Sequence, residues 1–137
     1  MMRPGQKPTI GILIHENGEW EPIYDLHWQR IQQMVGGYMQ MFTIVGFKDA
    51  DAFVSDSGLI EGLPINMGGM MLWGRPLAGK ILVTGLADNE GNTMPITPAM
   101  MRKIVLTLPA METCIEDVVS DPVLFPFVQE YLKGITI

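Results

Sequence analysis

One cysteine and two histidines are all that the 137 residues offer in thiol and imidazole chemistry. A lone Cys114 excludes an internal disulfide, and His15 with His27 leaves no zinc-ligand cluster at a usual spacing. Charge is scarce too: charged residues make up 18% of the chain, below the ordinary quarter of a globular domain. The balance is acidic, −6 from fifteen acids and nine bases, and the acids are interleaved along the chain. That sign disfavours a phosphate backbone, so nucleic acid is not an expected partner. No apolar run approaches the roughly 20 residues that span a bilayer, so no membrane partner is expected either. Pro4, Gly5 and Pro8 break the N-terminal stretch before a signal peptide's apolar region can form, and a cytoplasmic protein is expected.

What is present is apolar. These residues make up 47% of the chain, twelve of them methionine, enough for one core in a single domain over residues 1–137. Some of that apolar surface is expected between subunits, as in a homodimer. Thr9 to His15 reads as a strand. Asn17-Gly18 supplies positive φ for a tight turn, and Glu19 to Tyr24 returns as the partner strand. Asp25 caps an expected helix over Leu26 to Val35, ended at Gly36 or Gly37 and followed by a strand over Tyr38 to Val45.

Beyond a polar link at Lys48 to Asp51, Phe53 to Ser55 and Leu59 to Glu61 flank Asp56-Ser57-Gly58 as a second hairpin. Asn66 caps a short helix, Met67 to Trp73, ended by Gly74. Gly68 and Gly69 each weaken that helix by about 1 kcal/mol relative to alanine, so a close neighbour must hold it. Lys80 to Leu86 is the clearest strand, paired through the acidic turn Asp88 to Gly91 with Asn92 to Ile96. Thr97-Pro98 starts a helix that runs to Leu108. Glu112 to Val119 gives another, and Asp121-Pro122 starts a last one, Val123 to Lys133, closed by Gly134. Three hairpins with interspersed helices predict an α+β fold: an antiparallel or mixed sheet, helices packed on one face, and extra C-terminal helices.

Three glycine-punctuated segments stand where elements change. They are Gln32-Gln33-Met34-Val35-Gly36-Gly37-Tyr38, Gly62-Leu63-Pro64-Ile65-Asn66, and Gly79-Lys80-Ile81-Leu82-Val83-Thr84-Gly85 with Asp88 to Gly91. Together they resemble the family called domain of unknown function 3846, over about Thr9 to about Thr97. Gly68 and Gly69 depart from that family's alanine-containing helix. The resemblance implies a phage or mobile-element context and no assigned activity. The chain is then expected to be a non-enzymatic accessory protein in the host cytoplasm, acting on a host protein or by self-assembly, and the tail after Thr97 is an addition.

The residue types that carry chemistry are thinly spread, and no catalytic set, metal or cofactor is expected from them. Cys114 on an apolar helix face reads as a small buried hydrophobe, and His27 in a helical first turn as a packing residue. Asp49, Asp51, Asp56, Asp88 and Glu90 follow no calcium-loop spacing and read as hairpin tips. Met39, Met41, Met67 and Met70 have the softness for copper(I), but without cysteine or histidine beside them they read as packing. For a small ligand or nucleotide, the alternative to a protein partner, Asn66 is the first candidate contact and Tyr38 the second. A cap asparagine and a ligand-binding one look alike in sequence.

Overall fold

A computed structural model describes residues 9–25, 32–33, 35, 39–43, 50–55 and 61–135, with the backbone alone for 39–43 and 135. The elements are β1 (Gly11–Ile14), β2 (Trp20–Ile23), β3 (Met39–Thr43), β4 (Ala50–Ser55), α1 (Met67–Trp73), β5 (Ile81–Gly85) and α2 (Pro98–Thr107). A 3₁₀ turn (Glu112–Cys114), α3 (Ile115–Ser120) and α4 (Leu124–Ile135) complete the chain. The five strands form one sheet in the order β2-β1-β5-β4-β3, and every pairing is antiparallel. The chain is therefore α+β, with C-terminal helices as expected. Helix was expected over Leu26 to Val35; Gln32, Gln33 and Val35 are helical, and the rest of that stretch lies outside the described residues.

β1, β4 and β5 are buried along their whole length, which is why β1 and β5 read as nearly unbroken apolar runs. Alternate side chains feed two clusters. Ile12, Ile14, Trp20, Ala52, Val54, Ile81 and Val83 point to one face, where α1 to α4 pack with Leu72, Met100, Ile104, Val118 and Leu124. Leu13, Ile23, Phe53 and Leu82 point to the other and meet Val35.

The strand pairing is not read off the expected hairpins. The partner expected for Phe53 to Ser55, Leu59 to Glu61, lies outside the described residues but for Glu61; β4 begins at Ala50 and pairs with β3, Met39 opposite Ser55 and Thr43 opposite Asp51. A carboxylate at position 51 suggests a loop, yet Asp51 sits 5% exposed inside the strand. Of the turn expected between the two, residues 56–58 lie outside the described residues. Most of β5 pairs not with Asn92 to Ile96 but with β1 and β4, which lie along its two edges. The returning chain meets only the end of the expected strand, through Gly85 N–H to the Met94 carbonyl (3.0 Å), an antiparallel bridge of Ala87 with Thr93, and Asp88 N–H to the Asn92 carbonyl (2.8 Å). Pro95, with no N–H to give, ends the approach.

At the first hairpin only Gly18 takes positive φ, 90°; no described non-glycine residue does. Asn17 acts through its side chain instead, its Oδ1 accepting from Glu19 N–H at 3.0 Å. The Asp88 turn is built the same way: Asp88 Oδ1 accepts from the N–H groups of Glu90 and Asn92, each at 2.9 Å. These bonds, the Asn92 N–H foremost, hold the Asp88 carboxyl below its ordinary range.

The described helix starts are as the sequence predicts; the one expected after Asp25 lies outside the described residues. Thr97 Oγ1 accepts from Met100 N–H at 3.3 Å with Pro98 in the first turn. Asp121 Oδ1 accepts from Val123 and Leu124 N–H at 2.8 and 3.2 Å. α4 runs on through Gly134 to Ile135 rather than ending at that glycine. The second oxygen of Asp121 accepts from the Thr9 hydroxyl at 2.7 Å, tying the first described residue to the last helix across a buried contact. Asp121→Ala is expected to remove both the cap and this bond, a loss of about 2–3 kcal/mol in urea unfolding. Asp121→Asn keeps a capping oxygen and should lose about 1 kcal/mol.

Candidate functional site

Among the described residues, two places gather several segments of the chain around one point. The first is Asn66, fully buried. Its Oδ1 accepts from Gly69 N–H at 3.0 Å, which caps α1, and its Nδ2 donates to the carbonyls of Ile14 (3.0 Å) and Gly79 (2.9 Å). Its backbone N–H donates to the Leu77 carbonyl at 2.7 Å. One side chain thus joins the helix, the end of β1 and the approach to β5. α1 comes so close to the sheet that a Cβ on Gly68 would stand 2.5 Å from Ile14 Cγ2 and 2.9 Å from Leu108 Cδ1; one on Gly69 would stand 2.9 Å from Ile81 Cδ1. The close neighbour required by two glycines in a seven-residue helix is the sheet itself. Tyr38, the second candidate contact, lies outside the described residues, as do His27, Asp49 and Asp56.

The second place is a groove that sequence reasoning missed. α2 ends at Leu108, whose carbonyl accepts from the Trp20 indole at 2.9 Å. The next residues run along the outer edge of β2: Trp20 N–H donates to the Pro109 carbonyl (3.1 Å) and Met111 N–H to the Trp20 carbonyl (2.8 Å). The chain then turns through α3, and α4 folds back along α2, where Arg102 of α2 pairs with Glu130 of α4. Between them lies a groove of about 260 Å³. Trp20, Val105 and Leu108 line it from the sheet and α2, Ile115, Val118 and Val119 from α3, and Val128, Tyr131 and Leu132 from α4. Its described lining carries no charged side chain. Ile115, Val119 and Leu132 are 46%, 45% and 50% exposed, so apolar surface continues to the lip.

The family follows from a match of the chain itself. Residues 9–108, the span that holds the strands, α1 and α2, match the model of "Domain of unknown function (DUF3846)". The chain belongs to that family. The match runs on through α2, beyond the Thr97 limit of the motifs that carried the resemblance. In this DUF3846 protein the groove straddles the end of the match: Trp20, Val105 and Leu108 come from within it, and α3 and α4 lie beyond it. No curated protein and no solved structure matches the chain.

Among the described residues of this DUF3846 chain, the thiol and the His15 imidazole are engaged locally. His15 Nε2 lies 3.2 Å from Glu21 Oε2. Cys114 packs against the main cluster and its Sγ donates to the Met111 carbonyl at 3.1 Å. Burial, then the nearby carboxylates of Glu21 and Asp117, push the thiol up to about 11, so it stays protonated and a poor nucleophile at neutral pH. Burial and the carboxylates of Asp117 and Asp121 push the Tyr24 phenol up to about 12. Burial of Glu16 opposes its charge, but its backbone N–H and the Lys80 ammonium, 3.0 Å away, hold its carboxyl below the ordinary range. Among the described residues no group of three His, Cys, Asp or Glu side chains could hold a metal ion, and no helix is long and apolar enough to cross a membrane.

Proposed function

We propose that this protein is a non-enzymatic accessory factor of a phage or mobile element that works in the host cytoplasm by docking onto a host protein. The observation that supports the reading is the apolar groove between α2, α3 and α4, open at a lip of half-exposed aliphatic side chains. Such surfaces on a small domain mark sites of association, because leaving them in water is unfavourable by about 25 cal/mol per Å². The matched region builds the floor and the C-terminal helices build the walls, so residues 1–137 act as one unit in this reading.

The alternative, a small-ligand or nucleotide site near Asn66, asks a ligand to break three buried hydrogen bonds that the side chain already makes. The groove asks for no such loss. The test is capture from host lysate with the intact chain and with Leu132→Asp, a change at a half-exposed position that leaves the core untouched. The native chain is expected to retain a protein in stoichiometric amount, and Leu132→Asp at least about tenfold less, the factor that about 1.4 kcal/mol produces. Equal retention by both would sink the proposal.

A further inference from the structure

The groove also indicates the chemistry of its occupant. We infer that it takes an α-helical segment of a partner protein, with an apolar stripe flanked by lysine and arginine; the inference rests on the groove being the docking site proposed above. Volume is the first argument. At about 260 Å³ the groove falls below the roughly 300–1,000 Å³ of small-molecule sites, and a few aliphatic side chains of a larger partner fill it. Backbone chemistry is the second. An extended peptide needs a free strand edge, and the edge of β2 beside the groove is already bonded to Pro109 and Met111. A helix satisfies its own N–H and C=O groups and lays only side chains into an apolar trough.

Charge is the third argument, and it selects among partners. Residues 109–135 carry five acids, Glu112, Glu116, Asp117, Asp121 and Glu130, against one base, Lys133. Asp121 is consumed in its buried cap and Glu130 by Arg102. Asp117, two residues from both Ile115 and Val119, turns away from the groove toward Tyr24 and Cys114. Glu112 and Glu116 remain exposed, on the 3₁₀ turn and the helix that supply Ile115, Val118 and Val119 to the groove. Lys103 stands two residues from Val105 on α2, which at about 100° per residue turns it away from the groove. A second copy of this chain would bring the same acids against these, and a total charge of −6 against itself. A basic helix meets the opposite sign.

Two synthetic amphipathic peptides with the same leucine stripe, one flanked by lysines and one by glutamates, test this on the full chain carrying labelled methyl groups. The lysine peptide is expected to shift the methyl signals of Val105, Val118, Val119 and Leu132 and to bind at least tenfold tighter than the glutamate peptide. Val119→Glu is the decisive control, because it adds negative charge while spoiling the lip. If the groove docks the helix, Val119→Glu weakens the lysine peptide about tenfold or more. If bare charge attraction holds it, Val119→Glu leaves the affinity unchanged or raises it, and the inference falls. Equal affinity of both peptides at the groove methyls also overturns the inference and leaves the docking site standing. If neither peptide moves those methyls, the inference falls, and the Leu132-dependent capture decides the docking site separately.

Discussion

Asn66→Asp lowers the stability of the folded chain by about 3–5 kcal/mol at neutral pH, although aspartate and asparagine cap helices equally well. The reason lies on the other side of the amide. Oδ1 receives Gly69 N–H in either residue, but Nδ2 points its two hydrogens at the carbonyls of Ile14 and Gly79, 3.0 and 2.9 Å away. A carboxylate sets an oxygen there against two others, in a site with no exposure to water. Only a proton relieves it, so the introduced carboxyl has a folded pKa raised above its unfolded value of about 3.9. The sign of the linkage follows. The neutral form is favoured by folding, so the deficit against the native chain is smallest below about pH 4 and grows as pH rises toward the raised folded pKa. Urea unfolding of both proteins at pH 7 and pH 4 measures it. A deficit under about 1 kcal/mol at pH 7 would mean that Asn66 acts only as a cap.

This side chain also marks the boundary of what a reader of residues can see. Capping is local chemistry: Asn66 before Met67, Thr97 before Pro98 and Asp121 before Pro122 announce three helix starts within four residues each, and all three are there. Isoleucine and valine likewise announce β1 and β5. Pairing is not local. The partner of β5 depends on which strand edges the whole fold leaves free, and β1 and β4 lie along both, so Asn92 to Ile96 meets only its end. The start of β4 was hidden by a buried Asp51, whose carboxylate speaks for a loop until the sheet around it is known. Gly68 and Gly69 declared that something stands close without saying what; Ile14 and Ile81 lie 54 and 12 residues away in the chain. The groove was invisible for the same reason. Its lining runs from Trp20 to Leu132, and no spacing rule joins residues that far apart.

Trp20→Ala is expected to cost about 3–5 kcal/mol, the range for emptying a buried aromatic site, and to loosen the C-terminal helices before the rest of the fold. Trp20 is 1% exposed, in the main cluster, and it holds the tail by three hydrogen bonds, two of its backbone and one of its indole. The backbone bonds, to Pro109 and Met111, survive substitution while the strand survives. The indole bond does not, and Leu108, where α2 ends and the tail departs, is left with a carbonyl facing apolar surroundings. Trp20→Phe separates the two effects: it refills most of the volume and loses only the donor, about 1–2 kcal/mol. Amide hydrogen exchange on both variants locates the damage. Protection should fall first in α3 and α4, with β1 and β5 protected until global unfolding. Uniform loss across all elements would show that the tail and the sheet melt as one unit, and that Trp20 is a core residue like any other rather than the joint on which the groove is built.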